Sequence, residues 1–227
     1  MLSTLAVTFA LLCAPAGATE PPGSAQAPAQ AATVAVDKAE LLSRIAARYG
    51  DVKGLTARFH QVSTSALYGG AEQDGTLTLQ RPKKMRWDFE GDGKQFITDG
   101  QTMWIYSPAD KQVIRYRDFG GSPSDPTNAL LQSLDKLEEH FEVTVLGGDA
   151  NGYELALVPR DEAAKAQVKQ VTLSLDGELL LRGVKVLDAY DGVTTLTFES
   201  VQLGADVPDA RFTFEIPEGV DVVDAQG

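Results

Sequence analysis

From residue 55 onward the chain is written mostly in short apolar alternations broken by turn dipeptides, and that rhythm constrains the fold more than any other feature. Stretches at about 55–63, 75–81, 84–90, 94–98, 102–106 and 112–117 place apolar residues at alternate positions, as half-buried strands do. After an interruption the rhythm resumes at about 142–147, 152–158, 167–175, 180–189, 193–201 and 211–215. Asp92-Gly93, Asp99-Gly100, Asp176-Gly177 and Asp191-Gly192 stand at joints, and Asp-Gly favours the tight turns that connect antiparallel neighbours. No helix long enough for a parallel crossover separates most of these strands, so the sheet is expected to be antiparallel.

Two segments read as helix. In "VDKAELLSRIAARYG", Asp37 and Glu40 form a capping-box-like start, and Val36 with Leu41 fit a hydrophobic staple. Leu41, Leu42, Ile45, Ala46 and Tyr49 make one apolar stripe, and Gly50 stands at the C-terminal cap. The interruption "SPSDPTNALLQSLDKLEEHF" starts with Asp125 as cap and Pro126 in the first helical position. Leu130, Leu131, Leu134 and Leu137 supply its apolar side, on one broken helix or two short ones. The expected architecture is a large curved sheet whose helices bury their leucines across its concave face.

The ends and the charge narrow the setting. Residues 1–18 carry no charge, a short apolar run and a small-residue end, which reads as a secretory signal peptide with cleavage after Ala18. The run is shorter than the roughly 20 residues of a membrane span. Cys13 follows Leu12, where a lipidation signal wants a small residue, and it is the only cysteine. The mature part therefore has no disulfide and no thiolate chemistry. Residues 19–36 are Pro/Ala/Gln-rich linker, leaving 37–227 as one domain. The net charge of −12 repels phosphate backbones and anionic membranes, which argues against nucleic acid and stable membrane insertion.

Catalytic signals are poor. His60 and His140 fall in different elements, and no nucleophile elbow, phosphate-binding loop or dinucleotide fingerprint occurs. No enzyme activity, metal or cofactor is expected. "GGDANG" at 147–152 is a hairpin loop, and acidic pairs such as Glu138-Glu139 are solvated helix faces. Apolar side chain, in contrast, exceeds a simple sheet's need: "KMRWDFE" carries Met85, Trp87 and Phe89 on one face, and "TMWIYS" is apolar on both. Two readings of that surplus stand, an ordinary packed core or a cleft for an apolar ligand.

One charge is out of place. In "GTLTLQRPKKMRWDF", Arg81 falls in register with Leu77 and Leu79, at the rim of the apolar face and just before Pro82. It is either a surface arginine finishing a strand or a residue with a task at that rim.

The same stretch, with "QFITDGQTMWIYSPADKQV" after it, resembles the signature region of the LolA family of periplasmic outer-membrane lipoprotein carriers. Arg81-Pro82, Met85-Arg86-Trp87, Thr98 to Pro108, "FTFEIPEGV" at 212–220 and "LTARFHQ" at 55–61 carry the resemblance, which spans about 38–224. Lys83, Lys84, Met85 and Arg86 depart from the family pattern toward a more basic rim. The resemblance implies a half-open antiparallel β-barrel of about 11 strands, α+β in class, with a helical lid over an apolar cavity. It implies acyl-chain contacts from Leu77, Leu79, Met85, Trp87, Phe89, Phe96, Leu130, Leu131 and Leu134. Arg81 becomes a lid latch, its guanidinium bonding carbonyls at the ends of lid helices. The implied function is that of a monomeric periplasmic chaperone. It takes lipid-modified lipoproteins from an inner-membrane ABC-type release complex to an outer-membrane receptor. The alternative is a lipid- or lipoprotein-sensing regulatory module of the same fold that transfers no cargo. Arg81, Lys83, Lys84, Arg86, Arg115 and Arg117 are expected to face acidic partner surfaces.

Overall fold

Among the residues described by the computed structural model (36–65, 69–117 and 130–225), twelve strands join in one open sheet. The first six form a meander: β1 (Gly54–Ser65), β2 (Gly69–Gln80), β3 (Lys84–Phe89), β4 (Gln95–Thr98), β5 (Met103–Ser107) and β6 (Gln112–Tyr116). A second meander runs through β7 (Phe141–Asp149), β8 (Gly152–Pro159), β9 (Val168–Asp176), β10 (Leu181–Asp188) and β11 (Val193–Leu203). Antiparallel pairing of β1 with β11 fuses the two halves. The sheet ends at β7 on one side and at β12 (Asp221–Ala225) on the other, so it does not close. The expected signal peptide and nearly all of the linker lie outside the described residues, as do Asp125 and Pro126.

Two expectations need correction. The last strand of the sheet pairs parallel to β6, not antiparallel. The stretch 211–215, expected as a strand, is instead the end of a 3-10 turn (Asp209–Phe212) followed by unpaired extended chain. Its alternation is real, but Phe212 and Phe214 pack against the sheet's outer face instead of joining a ladder. Phe212 is fully buried, and Phe214 stacks at 6.2 Å from Trp104 and 5.6 Å from Tyr106. A crossing of that kind delivers the chain to the β6 edge from the far end, which is why β12 runs parallel.

The helices sit as their stripes require. Helix α1 (Lys38–Tyr49) starts at Asp37, whose carboxylate accepts the Glu40 N–H at 3.0 Å, and buries Leu41, Ile45 and Tyr49. The middle segment is helical over 130–132, breaks at Ser133, and continues as a 3-10 turn (Leu134–Lys136) and α2 (Leu137–His140). Leu130, Leu131, Leu134 and Leu137 are each 3% exposed or less, inside the same core as α1 and the inner sheet face. A further turn of helix, α3 (Glu162–Lys165), is capped by Asp161 and links β8 to β9.

Candidate functional site

The inner face is built by register. Directly opposed residues in neighbouring strands point to the same side of a sheet. One row therefore runs Ala57, Leu77, Trp87, Phe96, Ile105, Ile114 and Val223, across β1, β2, β3, β4, β5, β6 and β12. Every member is apolar. Burial falls along the row: Leu77 is 0% exposed and Trp87 6%, Phe96, Ile105 and Ile114 are half-buried, and Val223 is 45% exposed. The register also separates the two apolar faces of β5. Ile105 opposes the core-packed Phe96 and points inward, whereas Trp104 and Tyr106 point outward to Phe214.

The sequence-selected contact residues gather here. Leu77, Leu79, Met85, Trp87, Leu130, Leu131 and Leu134 share one buried cluster, and Phe89 and Phe96 pack on it half-buried. The cluster also holds Phe59 and Phe198, which sequence reasoning did not select. Phe59 meets Trp87 edge-on at 4.9 Å and Phe89 at 5.3 Å, and Phe198 lies 6.5 Å from Trp87. The alternation Leu55, Ala57, Phe59 was the available signal for the first of these. Gly75 opposes Phe59, and a methyl there would collide with the Phe59 ring and the Asp88 carbonyl. The Trp87 indole N–H donates to the Met85 sulfur at 3.0 Å, satisfying a buried donor.

Arg81 lies where the helices meet the sheet. Its Nη1 donates to the Tyr49 carbonyl at the end of α1, at 2.9 Å, and to Asp135 Oδ1 in the 3-10 turn, also at 2.9 Å. Both side chains of the ion pair are mostly buried, 16% and 17% exposed. Arg81 Nε is buried with no hydrogen-bond partner, so the guanidinium is incompletely satisfied. Tyr49 extends the connection, because its hydroxyl donates to the Leu179 carbonyl at 3.0 Å and accepts the Leu181 N–H at 2.9 Å. Burial pushes the Tyr49 phenol above its ordinary range, with the Leu181 amide opposing the shift. Beside Arg81, the Gln132 side chain reaches Lys83 and Lys84 of the same β2–β3 turn. Neither Asp135 nor Gln132 carried a sequence signal, since polar residues between leucines of an amphipathic helix read as its solvent face.

The outer face carries the basic residues, mostly in pairs. Lys84 bonds Asp209 at 2.6 Å, and Asp88 takes both Arg86 at 2.9 Å and Arg211 at 2.8 Å. Arg115 and Arg117 converge on Asp224 at 2.6 and 3.3 Å, holding that carboxylate far below its usual range. These contacts fasten the returning C-terminal segment, so the residues expected to greet a partner are engaged within the chain. His60 pairs with Asp74 at 2.9 Å on this face, remote in sequence and element from His140. No group of three metal-ligating side chains occurs among the described residues.

Comparisons with known proteins agree with this geometry. The chain is 31% identical over 186 residues to an outer-membrane lipoprotein carrier protein of Chromohalobacter salexigens, covering 79% of this chain and 85% of that one. A protein of the same description from Chromobacterium violaceum is 31% identical over 199 residues, covering 87% and 90%. The crystal structure of an uncharacterized conserved protein from Thermus thermophilus has the same fold, with a TM-score of 0.52 at 12% identity over 82% of this chain and 98% of that one. Residues 50–215 match the family described as outer membrane lipoprotein carrier protein LolA, and the chain belongs to that family.

Proposed function

We propose that this protein is a periplasmic chaperone that shelters the acyl chains of lipoproteins on its inner sheet face and carries them between membranes. It would receive cargo from an inner-membrane release complex of the ABC type and give it to an outer-membrane receptor. The names of its relatives support the carrier reading. The single observation that carries it is the apolar row across seven strands, buried beneath the helices and progressively open toward β6 and β12. An ordinary core ends where its cover ends. Among the described residues, this face continues beyond it.

The energetics suit transport. Each methylene taken from water contributes about 0.8 kcal/mol, so lipid-modified cargo needs an apolar shelter to cross an aqueous space. Delivery needs the opposite, a limit on net affinity. Leucines 130, 131, 134 and 137 fill the inner face when it is empty, so incoming acyl chains must displace them and net affinity falls accordingly. A carrier has no chemistry to perform, and the paired, hydrogen-bonded state of the polar residues is consistent with that role.

The test is a two-step transfer assay with a purified lipoprotein, scoring loading and delivery to acceptor membranes separately. Loading followed by delivery is the expected result. Loading without delivery to any acceptor would favour a sensing module, and absence of loading would overturn the proposal.

A further inference from the structure

The helical cover meets the β2–β3 turn at two side chains that differ in kind. Asp135 supplies a charge to Arg81, at 2.9 Å. Three residues earlier, across the break at Ser133, Gln132 supplies an amide. Its Oε1 accepts the Lys83 N–H and its Nε2 donates to the Lys84 carbonyl, each at 3.3 Å. Lys83 has a left-handed backbone, φ 67°, so the turn cannot continue the β2–β3 ladder through this point. The Gln132 amide takes the place of a neighbouring strand, offering one donor and one acceptor to consecutive residues. Despite the break, both contacts fall on the same β2–β3 connection, Asp135 at Arg81 and Gln132 at Lys83 and Lys84.

We infer that Gln132 is a second latch on the cover, uncharged and separate from the Arg81–Asp135 pair. The inference rests on the carrier reading for its purpose, though not for its geometry. A mostly buried ion pair is strong while closed, and any anion that reaches Arg81 competes with Asp135 for it. Two neutral hydrogen bonds to backbone are weaker, and no charge competes with them. With both present, loss of the ion pair leaves the cover docked in register, so it can return to the same seat. Among the other polar ties, Lys38 to Glu138 is roughly half exposed on both sides and contributes little, and Arg160 Nε donates to the Glu138 carbonyl at 3.0 Å where the cover runs into β7. Gln132 is thus a positioning residue that sets how often the cover lifts.

Hydrogen exchange of the Leu134–His140 amides reads that lifting, with the β1–β11 amides as the control for global unfolding. Gln132→Ala should speed exchange of the cover by about five- to a hundred-fold and leave the control unchanged, as expected for two neutral bonds to backbone. Gln132→Glu keeps the acceptor for Lys83 but loses the donor to Lys84, and should fall between. Combined with Asp135→Asn, the Gln132→Ala effect should multiply, because two separate contacts hold one cover. Wild-type exchange in Gln132→Ala, equal acceleration of the β1–β11 amides, or a double variant no faster than Asp135→Asn alone would each overturn the inference. Titration of the wild type with a fluorescent acyl probe keeps the two readings apart. Lack of saturable binding would remove the carrier reading, and the exchange data would still decide the latch.

Discussion

Arg81 and Tyr49 meet at the Tyr49 carbonyl, which ties the end of α1 to the same arginine that holds Asp135. Arg81 Nε has no partner, so the guanidinium meets the cover with only part of its hydrogen-bonding capacity. Arg81→Leu should lower the population of the closed empty state by about ten-fold or more, since bonds to a charged group are worth roughly 1.5–3 kcal/mol. Loading should survive and delivery should slow, because the leucine also adds apolar surface at the rim. Arg81→Lys should be intermediate, keeping charge without the planar guanidinium. A variant that loads and delivers like the wild type would leave Arg81 a packing contact with no part in transfer. Tyr49 gives a different signature. Its phenol is held above the usual value near 10 chiefly by burial, so this group's stabilisation is intact below about pH 10 and is lost as pH rises through the folded-state value. Tyr49→Phe strands the Leu181 N–H and should cost about 1–3 kcal/mol at neutral pH. It should also flatten the decline in thermal midpoint above about pH 10. An equal alkaline slope in both proteins would remove Tyr49 from that account.

At the scale of elements, β12 is the least anchored strand. Its side chains are exposed or nearly so, with Val222 and Val223 at 38% and 45%, and Asp224 provides its ionic contact with Arg115 and Arg117. Asp224→Asn should therefore speed hydrogen exchange across 221–225 while leaving the thermal midpoint almost unchanged. A large drop in midpoint would mean that β12 is integral to the fold. The same strand marks where reading the sequence stopped working. The first eleven strands follow from apolar alternation and Asp-Gly turns, because both signals are local. "DVVDA" has two aspartates in five residues and looks like a tail. Only Arg115 and Arg117, more than a hundred residues away, neutralise Asp224 and make it a strand. "RFTFE" failed in the opposite sense, since alternation reports a buried face and not a ladder partner. The inner-face residues were legible for the same local reason, whereas Asp135 and Gln132 acquire meaning only once the cover meets the β2–β3 turn.

For the whole molecule, the graded inner face predicts saturable, competable binding of an acyl-chain probe. Substituting Phe96→Asp or Ile105→Asp should weaken it strongly, because a buried carboxylate beside an acyl chain lacks a partner. Unchanged binding in both variants would place the ligand elsewhere. The joining of the two meanders through β1 and β11 also governs how the chain reaches this state. Ser63 bonds Thr194 at 3.1 Å, a pairing that spans 131 residues, and the middle of the sheet cannot form until nearly all of the chain is present. Closing so long a loop before its contacts reward it is slow, and topologies of this type fold in milliseconds to seconds. Until then the first meander has a free β1 edge and a bare apolar face, the combination most prone to mispairing. The surface that would shelter another protein's lipid is thus, during its own folding, the surface most in need of shelter.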